Sequence, residues 1–314
     1  MMNRAMFSLL AAGAALTVPV RVAAADVPVL RIGVVPSENF ALALFAREQG
    51  FFKPIKANIE ITTFAASAAI TAGVIGGALD IGCSNWGSIA NAYGRGLPIS
   101  VVSPGGVYTS ASPTTELTVA KASPLQTAKD LSGKTVALST LRDAQQACVM
   151  KWADVSGGDS KAIKFIEMPP YDMGKAVAAG RVDAATILEP SLSEALRTDV
   201  RAMAKPLDAV CTPQIVSAYY GTTAFLDKNA ALIKEFIVAM KGAAAWANAN
   251  HQGTAAILAK YSKMTAADIS QTHRTSYTDV LDVAAIQPLI DVMFEYKVLP
   301  NKFSVTQTFW SQLA

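Results

Sequence analysis

Cysteine, histidine and charged residues are all scarce in this 314-residue chain, and each shortage closes off a class of function. The three cysteines, Cys83, Cys148 and Cys211, are odd in number and widely spaced, which suits neither a disulfide framework nor a zinc site. Cys148 and Cys211 could pair in an oxidising compartment, but three buried free thiols is the simpler account. Only His251 and His273 are present, both near the C-terminus, so a serine or cysteine hydrolase has no histidine base beside the loops where ligands would sit. Gly82-Cys-Ser-Asn-Trp-Gly87 departs from the Gly-x-Ser-x-Gly elbow, and no Gly-x-Gly-x-x-Gly or phosphate-binding loop occurs. Two histidines without a carboxylate cluster give no catalytic metal pattern. The expectation is a non-enzyme without cofactor or metal. Charged residues are 16% of the chain and the formal net charge is +3, which argues against a nucleic-acid partner.

Long apolar runs are also missing after the first residues. Arg4 followed by apolar Ala5–Val20 and the small-residue cluster Ala23-Ala24-Ala25 has the layout of a secretory signal peptide, cleaved near Ala25. The alternative, a single N-terminal anchor, would need a longer run. No cysteine follows the cleavage point, so no lipid anchor is expected. Loss of residues 1–25 removes Arg4 and Arg21 and lowers the formal charge from +3 to +1. The expected product is a periplasmic protein.

What the chain does contain is an internal duplication. Leu30–Phe40 matches Lys134–Ala144, Ile59–Ala68 matches Ile163–Asp172, and Gly77–Ser88 matches Gly180–Ser191, at offsets of 103 or 104 residues. Each set reads as strand, polar loop, helix, strand, helix, then a Gly-x-apolar-Asp turn into a third strand, a βαβαβ unit with a largely parallel sheet. The expected fold is therefore α/β and two-lobed, with lobe 1 formed by 26–116 plus 220–314 and lobe 2 by 117–219. In such sheets ligands sit beyond the carboxyl ends of the strands, beside helix N-termini. Two lobes would set two such edges across a cleft. Crossings between lobes are expected near Glu116–Val119 and Val216–Gly221, and two linked strands make a hinge. Beyond Asp227 the pattern is helical and is assigned to lobe 1, with a capping box at Thr265–Asp268 and Pro288 near a helix start.

Leu30–Pro36, Ala46-Arg-Glu-Gln-Gly-Phe-Phe52, Gly77-x-Leu-Asp80, Asp130-Leu-Ser-Gly-Lys134 and Gly180-Arg-Val-Asp-Ala-Ala185 with Glu189-Pro190, in that order, resemble the nitrate/sulfonate/taurine-type substrate-binding proteins of bacterial ABC transporters. The resemblance runs over nearly the whole chain after residue 25. It implies two lobes closing on one small molecule, and delivery to an inner-membrane permease with its ATPase, from a protein expected to be a monomer. It also implies ligand contacts from the loops after strands: Ser37 and Asn39, Ser67, and Asn85 with Trp86 in lobe 1. Thr140, Arg142, Asp143 and Glu189 follow in lobe 2, with Tyr219 on the return strand. Where such proteins carry a small, donor-rich turn, this chain has Ser139-Thr-Leu-Arg-Asp143.

Helix N-termini offer unpaired N–H groups and partial positive charge, which suits an anionic head group. Ser67, Asn85 and Thr140 would add donors there, or would simply cap their helices. Trp86 could stack on a ring or pack between lobes. Arg142 could grip a carboxylate or sulfonate through two parallel bonds, pair with Asp143 or Glu189, or stand as a solvated surface arginine. Glu189 could accept from a ligand or brace a helix start. The expected ligand is a small organic anion. A ligand-sensing protein docking on a membrane receptor is compatible with the same fold.

Overall fold

The computed structural model describes residues 27–198, 200–262 and 264–313, so the expected leader and its cleavage site fall outside the described residues. No helix among the described residues is long and apolar enough to cross a membrane. The first unit runs Val29–Val34 (β1), Leu42–Glu48 (α1), Asn58–Thr63 (β2), Ser67–Ile75 (α2), Ile81–Asn85 (β3), Trp86–Gly94 (α3), Ile99–Pro104 (β4) and Gly106–Tyr108 (β5). The second runs Thr115–Ala120 (β6), Thr135–Leu138 (β7), Ala144–Val155 (α4), Lys164–Glu167 (β8), Pro170–Ala178 (α5), Ala184–Leu188 (β9), Ser191–Thr198 (α6) and Val200–Ala204 (β10). The return path is Gln214–Ile215 (β11), Ser217–Thr222 (β12), Thr223–Lys228 (α7), Ala230–Ala249 (α8), His251–Ala259 (α9), Ala266–Ser270 (α10), Ser276–Tyr277 (β13) and Gln287–Glu295 (α11).

The duplication is visible in the strand register. One sheet has the order β2-β1-β3-β12-β4 and the other β10-β6-β9-β7-β8, so β1 and β7 hold the same place between their parallel neighbours. Arg31 pairs with Glu60 as Thr135 pairs with Lys164, and Ile32 pairs with Ile81 as Val136 pairs with Ala184. The Gly-x-apolar-Asp turn does the same work twice. Gly77 and Gly180 take left-handed backbone angles (φ 74° and 67°), which a residue without Cβ adopts at little cost. Three residues later Asp80 accepts the Arg31 amide and Asp183 the Thr135 amide, each at 2.8 Å, so each carboxylate ties the third strand to the base of the first.

Each sheet accepts one antiparallel strand from the other half of the chain: β12 beside β3, and β6 beside β9. Glu116–Val119 lies wholly inside β6, paired with the second sheet, and β12 lies wholly in the first. The chain therefore changes sheet earlier than the sequence suggests, between Tyr108 and Thr115 and again between Ala204 and Ser217. There β5 and β11 pair antiparallel, and β13 from the C-terminal region adds on the far side of β5. The connection between lobes is thus a three-stranded ribbon, stiffer than two free segments.

Helices α8 and α9 pack on the first lobe as expected. Phe236 of α8 stacks on Phe52 and meets the edge of Tyr219, with ring centroids 5.8 and 5.9 Å apart. Helix α11 behaves differently, since it touches both α3 and α4. Leu289, Ile290 and Met293 share one buried cluster with Ala147 and Cys148 of α4. Lys151–Glu295 (3.0 Å) and a Tyr296 hydroxyl to Asp154 bond (2.7 Å) close the same contact. The C-terminal extension is in part a brace between lobes. All three cysteines carry free thiols, with Cys83 and Cys148 buried.

Candidate functional site

The carboxyl ends of β1, β2 and β3 face those of β7, β8 and β9 across a cavity of about 270 Å³. Both lobes line it. Helices that follow these strands begin at its wall, through Ser67 of α2, Ser88 of α3, Tyr171 of α5 and Ser191 of α6. Helix α2 starts without a side-chain cap, so its first N–H groups are open to a guest; α5 also lacks a side-chain cap, but it starts at Pro169-Pro170, which carry no N–H, and its first amide is that of Tyr171. Helix α3 is capped, with Asn85 Oδ1 accepting the Ser88 amide at 2.7 Å. The rest of the wall is apolar and rigid: Val35, Phe40, three alanines of 65–68, Pro169, Pro170 and Leu188. No lysine, arginine or histidine lines the cavity. A negative group entering it would meet helix N-termini and hydroxyls, which stabilise charge through dipoles without a buried cation.

Glu189 is the one carboxylate in that wall, and it is almost fully buried. Burial raises its pKa above the usual carboxylate value, while bonds from Ser193 and from the His273 amide (3.0 Å) act in the opposite direction. Its oxygens serve the start of α6 and a C-terminal loop, which makes it a brace at the cavity rather than a free acceptor.

Of the residues expected at the site, Ser37, Ser67, Asn85, Thr140 and Glu189 line the cavity. Asn39 lies deeper, on a recess of about 70 Å³ that also includes Asn85, Ser139 and Gln145. Its side chain accepts the Thr275 hydroxyl at 2.6 Å. Four others stand elsewhere. Trp86 is fully buried in the cluster that contains Ile89 and Tyr220, with its indole N–H unpartnered, and does not reach the cavity. Tyr219 is fully buried beneath the first loop, where its hydroxyl accepts the Ala43 amide (2.9 Å) and donates to the Phe40 carbonyl (3.2 Å). It positions that loop and does not touch the cavity.

Arg142 is exposed and lines a neighbouring groove, in a left-handed conformation (φ 55°). Asp143 is buried at the N-cap of α4, accepting the Ala144 amide at 2.7 Å and the Asn85 side-chain amide at 3.0 Å. Burial raises its pKa, and it sits where a Cβ on Gly87 would fall 1.4 Å from its Oδ1. Asp143 is therefore a direct polar contact between the lobes. Ser88, Ser139, Tyr171 and Ser191 were not singled out from the sequence. The duplication held a signal for two of them, because Ser191 repeats Ser88 at offset 103 and Tyr171 repeats Ser67 at offset 104.

The model of the family described as NMT1/THI5 like matches residues 37–254. No curated protein sequence gives a significant match. Among solved structures, the periplasmic aliphatic sulphonate binding protein SsuA from Escherichia coli is 23% identical, with 91% of this chain and 98% of that chain covered and a TM-score of 0.74. The alkanesulfonate-binding protein SsuA from Xanthomonas axonopodis pv. citri, bound to MOPS, is 21% identical over 90% of this chain and 98% of its own, with a TM-score of 0.75. The desulfurization enzyme DSZB shares the fold at 13% identity, 91% and 97% coverage and a TM-score of 0.67. Two-lobed binding proteins and an enzyme thus share this architecture, so the fold alone does not separate binding from catalysis.

Proposed function

Because the chain belongs to the NMT1/THI5-like family, we propose that it is the exported solute-binding component of an ABC import system. It captures one small organic molecule between its lobes and delivers it to an inner-membrane permease with its ATPase. The observation that carries this reading is the cavity itself, built from equivalent strand ends of two duplicated units and met by four helix starts. The solute has a polar or anionic head, a sulfonate or carboxylate, directed at the open N-terminus of α2 and the Tyr171 amide of α5, and an apolar body against Phe40, the Tyr171 ring, Pro169 and Pro170. Transport rather than catalysis is supported by the wall, which holds no histidine, no cysteine and one carboxylate already engaged by its own chain. Lobe 1 in this reading is 26–116 with 220–314, and lobe 2 is 117–219. The protein works as a periplasmic monomer after loss of residues 1–25.

Thermal denaturation of the protein lacking 1–25, against nitrate, alkanesulfonates including MOPS, and aliphatic and aromatic carboxylates, tests the reading. A solute at a hundred times its Kd adds about 2.7 kcal/mol to the native state by mass action. Small-angle scattering with that solute should then show compaction. An unchanged profile at saturation, or turnover of the solute, would overturn it.

A further inference from the structure

A groove of about 360 Å³ adjoins the cavity and shares Ala68, Ser88 and Thr140 with it. Arg95, just past α3 in the first lobe, and Arg142, just before α4 in the second, both line this groove. Both are exposed, and neither forms an ion pair among the described residues, whose bridges involve other arginines and lysines. Two guanidinium groups lining one concavity from opposite lobes give it a positive wall. The acids nearby are otherwise engaged. Asp143 lines the groove but is buried and spends its oxygens on Ala144 and Asn85, and Glu167 takes the Leu141 amide at 3.2 Å.

The backbone adds a second observation. Arg142 adopts a left-handed conformation that costs a side chain about 1–2 kcal/mol and would cost glycine nothing. That conformation is held from both lobes: the Gln146 side chain accepts the Arg142 amide at 2.8 Å, and Asn91 Nδ2 of α3 donates to its carbonyl at 3.3 Å. A bulky cation is thus kept at a turn that favours glycine, and is anchored across the cleft. Ser88 and Thr140 place further hydroxyls on the wall of the groove.

We infer that this groove is an oxyanion subsite in which Arg95 and Arg142 together hold a carboxylate, sulfonate or phosphate group at the far end of a solute whose body fills the cavity. The inference rests on the solute-binding reading above. Guanidinium forks suit such groups through paired hydrogen bonds. One group bound by both lobes also favours the closed arrangement, since it can touch both arginines only while the lobes stand together.

Inorganic pyrophosphate serves as a probe of the groove that does not depend on the cavity. In NMR titrations at constant ionic strength, the Arg95 and Arg142 Nε–H resonances should shift together with one Kd. Arg95→Gln and Arg142→Gln should each weaken that binding at least tenfold, and the double variant should be no weaker than either single one. Unchanged melting temperatures show that these exposed replacements leave the fold intact. A second arm compares benzenesulfonate with benzene-1,3-disulfonate, which should bind at least fivefold more tightly to the unaltered protein and equally to the double variant. No saturable pyrophosphate binding, or small independent losses of about twofold per arginine as expected of surface charge, would overturn the subsite. If pyrophosphate binds as expected but no organic solute in the broader screen stabilises the protein, the subsite stands as a site for free anions and the solute-binding reading fails.

Discussion

Gly87→Ala is the sharpest test of how the two lobes meet. Gly87 is the second residue of α3 and has an ordinary helical backbone, so alanine there would by itself stabilise the helix by about 0.5–1 kcal/mol. The added Cβ, however, would lie 1.4 Å from Asp143 Oδ1 and 2.8 Å from the Ala144 backbone nitrogen, both at the start of α4 in the other lobe. Neither distance is tolerable, so the start of α4 must retreat. Retreat of the Asp143 carboxylate loses its cap on α4, about 1 kcal/mol, and its bond from Asn85, about 1.5–3 kcal/mol for a charged acceptor. Set against the helix gain, the closed arrangement should lose about 2–3 kcal/mol while each lobe stays folded. Scattering should show a larger radius of gyration, and calorimetry a matching fall in solute affinity. The control is Asp143→Ala, which removes the nearer obstacle and leaves the Ala144 nitrogen. Gly87→Ala should cost at least about 1 kcal/mol less in that background, a coupling typical of residues in contact. The same cost in both backgrounds would refute the contact.

Three further outcomes follow from the same geometry. Arg274 reaches the buried Glu38 at 2.9 Å, so Arg274→Met should cost about 3–5 kcal/mol in urea unfolding by stranding that carboxylate, and adding Glu38→Gln should recover most of it. Burial raises the pKa of Glu116 above its usual 4.5, which means that the folded protein holds this proton more tightly than the unfolded chain. Its contribution to stability is therefore fully present below about pH 4.5 and is lost as pH rises through the folded value, so Glu116→Gln should be more stable than the parent at pH 8 and equal to it at pH 4 in chemical denaturation. Tyr171 is 74% exposed yet lines the cavity, and should order over a bound solute. Tyr171→Ala should weaken binding about tenfold in calorimetry, whereas Trp86→Phe, at a side chain buried in the core and absent from the cavity wall, should leave the affinity unchanged.

The duplication, the order of strands and helices, and the class of the fold were legible in the sequence, because they depend on local pattern. Strands β6 and β7 span the extended runs Thr115–Ala120 and Thr135–Leu138 that their apolar and β-branched residues mark, the Thr265 capping box forms, and Pro288 stands in the first turn of α11. Local chemistry also identified which loops build the cavity, since strand ends and helix starts are written in short segments. Which side chain of a loop enters the cavity is decided otherwise. Trp86 and Ser88 lie two residues apart at the start of α3, and at about 100° per residue they point to nearly opposite sides of the helix. The first goes into the core and the second to the cavity, a choice set by how α3 rotates against its sheet. Tyr219 is drawn under the first loop by hydrogen bonds to residues more than 170 positions away, a distance no local pattern reports. Arg142 and Arg95 meet at one groove only because two lobes are set face to face, and the brace made by α11 arises from the same cause. Sequence periodicity specifies each element against its immediate neighbours, whereas rotation of helices and the approach of lobes depend on the sum of contacts made by the whole chain.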